Sequence, residues 1–176
     1  MRKLKLSELS RVSVDEYNFL PKLPVVAVLD NIRSAMNVGS VFRTADAFAI
    51  ERIIICGISA TPPNREITKT AIGATESVRW EYIEDISEAV FSLKKQGYLI
   101  VGVEQTDKSV TLETTDFKNN KIAVIFGNEV DGISDKIMED MDICVEIPQY
   151  GTKHSLNVSV CAGIVLWELT KRYYDH

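Results

Sequence analysis

Residues 25–30 read VVAVLD, five apolar side chains in succession before an aspartate. A strand with one wetted face alternates apolar and polar residues. A short unbroken apolar run fits a strand covered on both faces, and such strands belong to parallel sheets flanked by helices. The pattern recurs at 52–57 (RIIICG), 98–104 (YLIVGVE), 121–127 (KIAVIFG) and 142–148 (DICVEIP), with 78–83 (VRWEYI) a further candidate.

Helical spacing fills the gaps. Val38, Val41, Phe42, Ala45 and Ala49 predict an amphipathic helix over 38–48, and Ile86, Ala89, Val90 and Leu93 another, closed by Gly97. A short helix is expected over 133–138 and a closing one over 156–173, while 61–73, opened by Pro62-Pro63, is expected to be a loop with a short helix. Strands alternating with helices predict an α/β domain with a mostly parallel sheet and helices on both faces. Residues 1–24 are expected to form an N-terminal arm, with Pro21 and Pro24 stopping regular structure, and 25–176 the domain itself.

Three cysteines, Cys56, Cys144 and Cys161, sit far apart in apolar runs, and the two histidines are His154 and His176. Neither a disulfide framework nor a metal site is expected, only three buried reduced thiols. The N-terminus has basic residues but no apolar core of a signal peptide. No apolar stretch reaches the roughly 20 residues needed to span a bilayer. A cytoplasmic protein is expected. The net charge of -5 weighs against a simple nucleic-acid-binding domain, although local patches decide binding. Basic residues gather at Arg2, Lys3 and Lys5, at Arg65 and Lys69, and at Lys171 and Arg172. Acidic ones gather at Glu81, Glu84, Asp85 and Glu88, and at Glu139, Asp140 and Asp142.

Three segments carry chemistry. NIRSAMNVGSVFR (31–43) follows the first strand and opens a helix. Asn37 has the side chain of an N-cap, Gly39 allows a backbone or ligand to come close, and Arg43 lies off the apolar stripe. A helix start beside an arginine is a phosphate site in outline, or simply a capped helix with a surface arginine. IAVIFGNEVDG (122–132) ends a strand in Gly127-Asn128-Glu129, with Gly132 closing a turn. Its amides would hold a small ligand, or it is an ordinary strand-to-helix turn. The dinucleotide fingerprint G-x-G-x-x-G is absent. IPQYGTKHSLNVSV (147–160) leads into the last helix with Ser155, Asn157 and Ser159 among apolar residues. They either cap the helix or work in a site. His154 reads as a loop residue more readily than as a general base.

Taken in order, these segments resemble the three motifs of the SpoU/TrmH methyltransferases in the SPOUT superfamily: Asn37, Gly39 and Arg43, then Gly127, Asn128, Glu129 and Gly132, then Ile147, Pro148 and residues 155–160. The resemblance covers about residues 24–173. It implies a deep trefoil knot over roughly 121–165, a topology almost absent from other proteins, and a homodimer whose active site is shared between subunits. It also implies S-adenosyl-L-methionine as cofactor, bound at Val103, Glu104, Gly127, Ile147 and Leu156, with Asn128, Gly132, Pro148, Ser155 and Asn157 around them, and no metal. The catalytic set it implies is Asn37, Arg43, Glu129, Ser155 and Asn157.

The implied reaction moves a methyl group to a ribose 2′-hydroxyl of RNA. A guanidinium stays protonated in proteins, so Arg43 is expected to grip a phosphate or steady an alkoxide rather than act as the base. Transfer RNA is preferred over ribosomal RNA, because no added domain precedes the core and the basic arm is the one obvious extra grip. Two rivals stand beside this reading: a non-catalytic RNA- or cofactor-binding module of the same fold, which the acidic charge favours, and an ordinary nucleotide-binding α/β enzyme, which would need a Gly-rich phosphate loop after the first strand.

Overall fold

The computed structural model describes residues 1–9, 11–117 and 121–174; His176 lies outside them. Seven strands form one sheet: β1 (Leu23–Asp30), β2 (Ile50–Cys56), β3 (Trp80–Ile83), β4 (Tyr98–Val103), β5 (Val110–Thr111), β6 (Lys121–Phe126) and β7 (Ile143–Glu146). Their order is β3-β2-β1-β6-β4-β7-β5, and the pairings between them are parallel. The late strand β6 thus lies between β1 and β4.

The helices are α1 (Val14–Phe19), α2 (Ala35–Ala47), α3 (Arg65–Ala71), α4 (Ala74–Ser77), α5 (Ile86–Lys95) and α6 (Val158–Tyr174). Alternate residues of β1 face opposite ways, as a pleated strand requires. Val25, Ala27 and Leu29 join a core with Val38, Val41 and Phe42 of α2, Ile67 of α3 and Leu166 of α6. Val26 and Val28 join a second core with Ala89, Val90 and Leu93 of α5 and with Ile137. Helices therefore cover both faces, as the apolar runs require. Phe48 and Trp167, 5.7 Å apart between ring centroids, join the end of α2 to α6.

Several boundaries differ from the sequence reading. Pro24 does not stop the chain, since β1 already includes it. The pairing with β2 slips between Leu23 and Val26, and such an irregularity removes the ladder hydrogen bond that proline cannot make. The arm contains α1, opened by a capping box in which Ser13 and Glu16 satisfy each other's backbone N–H groups. Helix α2 starts three residues early: Ser34, not Asn37, is its N-cap, accepting from the Asn37 N–H at 3.3 Å. The closing helix starts at Val158 rather than at residue 156. Only Cys56 of the three free thiols is fully buried, and burial pushes it up to about 12. Among the described residues no helix is long and apolar enough to cross a membrane.

Candidate active site

Ligands of parallel α/β sheets bind beyond the carboxyl ends of the strands. Here the ends of β4, β6 and β7, with the start of α6, enclose a cleft of about 320 Å³. Its apolar wall includes Val103, Phe126, Val145, Ile147, Leu156 and Val158, and its polar wall Glu104, Gln105, Asn128, Glu129, Glu146 and Ser155.

The turn after β6 is held rigidly. Asn128 and Gly132 exchange two main-chain hydrogen bonds, of 2.8 and 3.0 Å. The Asn128 side chain accepts from the N–H of Val130 at 2.8 Å and donates to the Asn31 carbonyl at 2.8 Å. Asn128 therefore works on the protein itself. Gly132 has φ +72°, and a Cβ there would come within 2.3 Å of Glu104 Oε2. That close approach lets Glu104 accept from the N–H of Ile133 at 3.1 Å while also taking the N–H of Gln105 at 3.0 Å. Behind the turn, the buried Asp30 accepts from the N–H of Ser134 at 2.7 Å and from Asn31 Nδ2 at 2.8 Å.

Glu129 reaches away from this turn to the start of α2. It accepts from the N–H groups of Arg33 and Ser34 at 3.1 and 3.4 Å, and from Asn37 Nδ2 at 2.9 Å. Partial burial works against its charge, but these donors outweigh it and hold the carboxyl below the usual glutamate range. The helix start read from sequence as a phosphate cradle is thus filled by a carboxylate of the chain. Asn37 Oδ1 accepts from Asn157 Nδ2 at 3.2 Å, and Asn157 Oδ1 accepts from the N–H of Ser159 at 2.9 Å, capping α6. One string, Asn157–Asn37–Glu129, joins segments 92 and 120 residues apart in sequence.

The structure brings Val103, Glu104, Gly127, Asn128, Gly132, Ile147, Ser155 and Leu156 to the cleft, together with Glu129. Pro148 lies next to Ile147 but is not among the lining residues, and Asn37 and Asn157 join the site through Glu129. Arg43 stands exposed on α2, away from the cleft wall and without an ion-pair partner among the described residues. Gly39 does admit a close neighbour, the backbone of α3: an added Cβ would meet the Ile67 carbonyl at 2.5 Å.

Sequence reasoning missed Gln105, Glu146, Gln149 and Cys161 as lining residues and set His154 aside as a loop residue; it lines the cleft. Gln105 Nε2 donates to the His154 carbonyl at 3.1 Å, tying the β7–α6 loop to the end of β4. Burial pushes the Cys161 thiol up to about 11, with the Glu104 charge adding to it, so it faces the cleft as a neutral group. The position of Gln105 directly after a buried strand was the one local signal available. Among the described residues, no group of three His, Cys, Asp or Glu side chains is placed to hold a metal ion.

Residues 24–167 match the SpoU rRNA Methylase family. The chain is 32% identical over 153 residues to the 23S rRNA (guanosine-2'-O-)-methyltransferase RlmB of Neisseria meningitidis, covering 87% of this chain and 60% of that one. It therefore spans about 60% of the length of that curated relative. Among solved structures, the A. aeolicus TrmH/SpoU tRNA modifying enzyme superposes with a TM-score of 0.80 at 26% identity, covering 90% of this chain and 80% of that one. The AdoMet-bound rRNA methyltransferase from Sinorhizobium meliloti gives a TM-score of 0.80 at 25% identity, covering 89% and 59%. With residues of the second and third motifs lining one cleft, Asn37 of the first tied to them through Glu129, and the family match running across most of its length, this chain belongs to the SpoU rRNA methylase family.

Proposed function

We propose that this domain transfers a methyl group from S-adenosyl-L-methionine to a ribose 2′-hydroxyl of RNA, with transfer RNA the preferred substrate. The observation that carries the reading is the hydrogen-bonded string Asn157–Asn37–Glu129, which joins one residue from each of the three family motifs at the edge of the cleft.

The cleft fits such a cofactor. Its volume of about 320 Å³ lies in the range of ligand pockets. Val103, Ile147 and Leu156 give an apolar wall for an aromatic base, and Glu104, Glu129 and Glu146 supply negative charge beside a cationic group. The cofactor would supply a methyl group already activated by a sulfonium charge. The chain's own tasks are alignment and help with proton loss. Glu129 fixes the start of α2, and so the helix that carries Arg43, relative to the cleft. Arg43 grips the phosphate beside the target ribose and steadies negative charge on the oxygen. Ser155, at the cleft wall, orients the ribose.

Arg43 does not face the cleft of its own chain, which supports a homodimer in which it serves the partner's cleft. Val160, Ile164 and Trp167 form an exposed apolar stripe on α6, 53%, 39% and 54% accessible, and a second subunit would cover it. Membership of the family and the central place of β6 support threading of residues 121–165 into a trefoil knot. A cytoplasmic setting follows from the substrate.

Ribosomal RNA is the second reading, favoured by the likeness to the Neisseria meningitidis enzyme. Incubation with radiolabelled S-adenosyl-L-methionine and unmethylated small or ribosomal RNA tests both. Alkali-resistant label is expected in the small-RNA fraction; label only in ribosomal RNA replaces the substrate. Absence of label despite calorimetric binding of the cofactor overturns the enzyme reading in favour of a binding module.

A further inference from the structure

The proposed reaction uses Arg43 and leaves the cations beside it unexplained. Helices α2 and α3 touch in an antiparallel register. Thr70 Oγ1 donates to the Met36 carbonyl at 3.0 Å, and Gly39, three residues further along α2, abuts Ile67, three residues back along α3. Arg43 follows Gly39 by one turn of α2 and shares its face, in the direction of the end of α3 that carries Asn64 and Arg65.

Arg65 and Lys69 are four residues apart on α3, hence on one face and separated by a rise of about 6 Å. Both side chains are exposed. In a protein of net charge -5, some cations find acids, such as Arg33 with Asp131, Arg52 with Glu51 and Glu81, and Lys94 with Asp140, while others, such as Arg79 and Lys121, stand singly without an ion pair among the described residues. Arg65, Lys69 and Arg43 have no carboxylate partner among the described residues. The acid on α3, Glu66, is half-buried. An acidic protein that leaves three neighbouring cations unanswered on one helix pair presents a local positive field, and local field decides what a surface attracts.

We propose that Arg65 and Lys69 form a phosphate track that carries the RNA strand past Arg43. This rests on the reading of the chain as an RNA methyltransferase in which Arg43 holds a phosphate. The track adds affinity without touching the reacting atoms.

The test compares wild type, the double variant Arg65→Gln/Lys69→Gln and the control Lys94→Gln/Lys95→Gln on α5, across the sheet. Binding of a fluorescein-labelled transfer RNA transcript is followed by anisotropy over a range of salt, beside kcat and KM. The track predicts a roughly tenfold weaker Kd and KM for the double variant near physiological salt, and a slope of log K against log salt shallower by about 1.5. Its kcat and cofactor binding stay unchanged, and the control behaves as wild type. An unchanged slope overturns the proposal, as does a double variant that is monomeric where wild type is dimeric, because α3 would then be a subunit contact. A shallower slope in a protein that binds RNA but transfers no methyl group upholds the track and removes the enzyme reading. No RNA binding by wild type removes both.

Discussion

The two ends of the parallel sheet each hold a cluster of polar side chains, and the clusters differ in what they leave open. At the amino ends, Arg52 of β2 donates to Glu81 and to Gln96, both at 3.2 Å, and to Glu51, while the Tyr98 hydroxyl donates to Glu51 at 2.6 Å. Each group is answered by another of the same cluster. At the carboxyl ends, Glu129, Asn37 and Asn157 are also bonded to one another, but a cleft opens beside them and Arg43 stands unanswered on the adjoining helix. Density of polar groups is therefore a poor sign of a site. Unused bonding capacity beside a cavity is a better one, since buried polar groups are ordinarily satisfied.

That contrast breaks most visibly at Arg43. Arg43→Lys keeps the charge and loses the planar fork. Turnover is expected to fall by about 100-fold or more, with calorimetric binding of S-adenosyl-L-methionine intact; near-normal turnover would remove the role given to this residue. At the opposite end, Arg52→Ala leaves Glu51 with the Tyr98 hydroxyl but without its cation and is expected to cost about 1 kcal/mol of stability, read from urea midpoints. KM values should not move, and a raised KM for RNA would mean that the closed cluster is a site after all.

Glu129 gives a subtler contrast, because its charge serves both fold and site. Its folded pKa lies below the roughly 4.3 of a free glutamate. The ionised form is thus favoured by folding: its stabilisation is complete above the unfolded value and is lost as pH falls through the lower folded one. Glu129→Gln should therefore be less stable than wild type by on the order of 1 kcal/mol at neutral pH, the side chain being partly in water, with the gap closing in acid. A gap that does not change with pH would mean that the carboxylate charge is not what holds α2. The smallest effect is expected from Asn157→Asp. Aspartate caps a helix as well as asparagine does, so Tm should hold, while loss of the Nδ2 donor to Asn37 should lower turnover several-fold. A fall in Tm with turnover unchanged would place Asn157 in the fold alone.

Much of this was legible in the sequence, and what escaped has physical causes. The buried strands announce themselves because a strand covered on both faces needs apolar residues without interruption. The capping box Ser13–Glu16 was equally local and available, so α1 could have been read. The two-residue β5 carries too little pattern to be seen. Asn37 looks like a cap because local sequence cannot show that its side chain is used by Glu129 and Asn157, 92 and 120 residues away. Pro24 reads as a stop because the slip in register that accommodates it depends on β2. The motif residues were found through the resemblance, not through periodicity; composition alone pointed away from RNA. The cleft residues Gln105 and Gln149 belong to no motif, and only the folded loops bring them together.

The central place of β6 also governs the order in which the chain can be finished. Strand β1 has β2 on one side and β6 on the other, so a growing polypeptide exposes a bare β1 edge until residues 121–126 leave the ribosome. Such an edge is a template for pairing with another chain. A nascent fragment ending before Lys121 should accordingly sediment with aggregates or chaperones, whereas one that extends through α6 should be released soluble. The strand that joins the two halves of the sheet is then also a checkpoint in synthesis, before which the first half has no partner of its own.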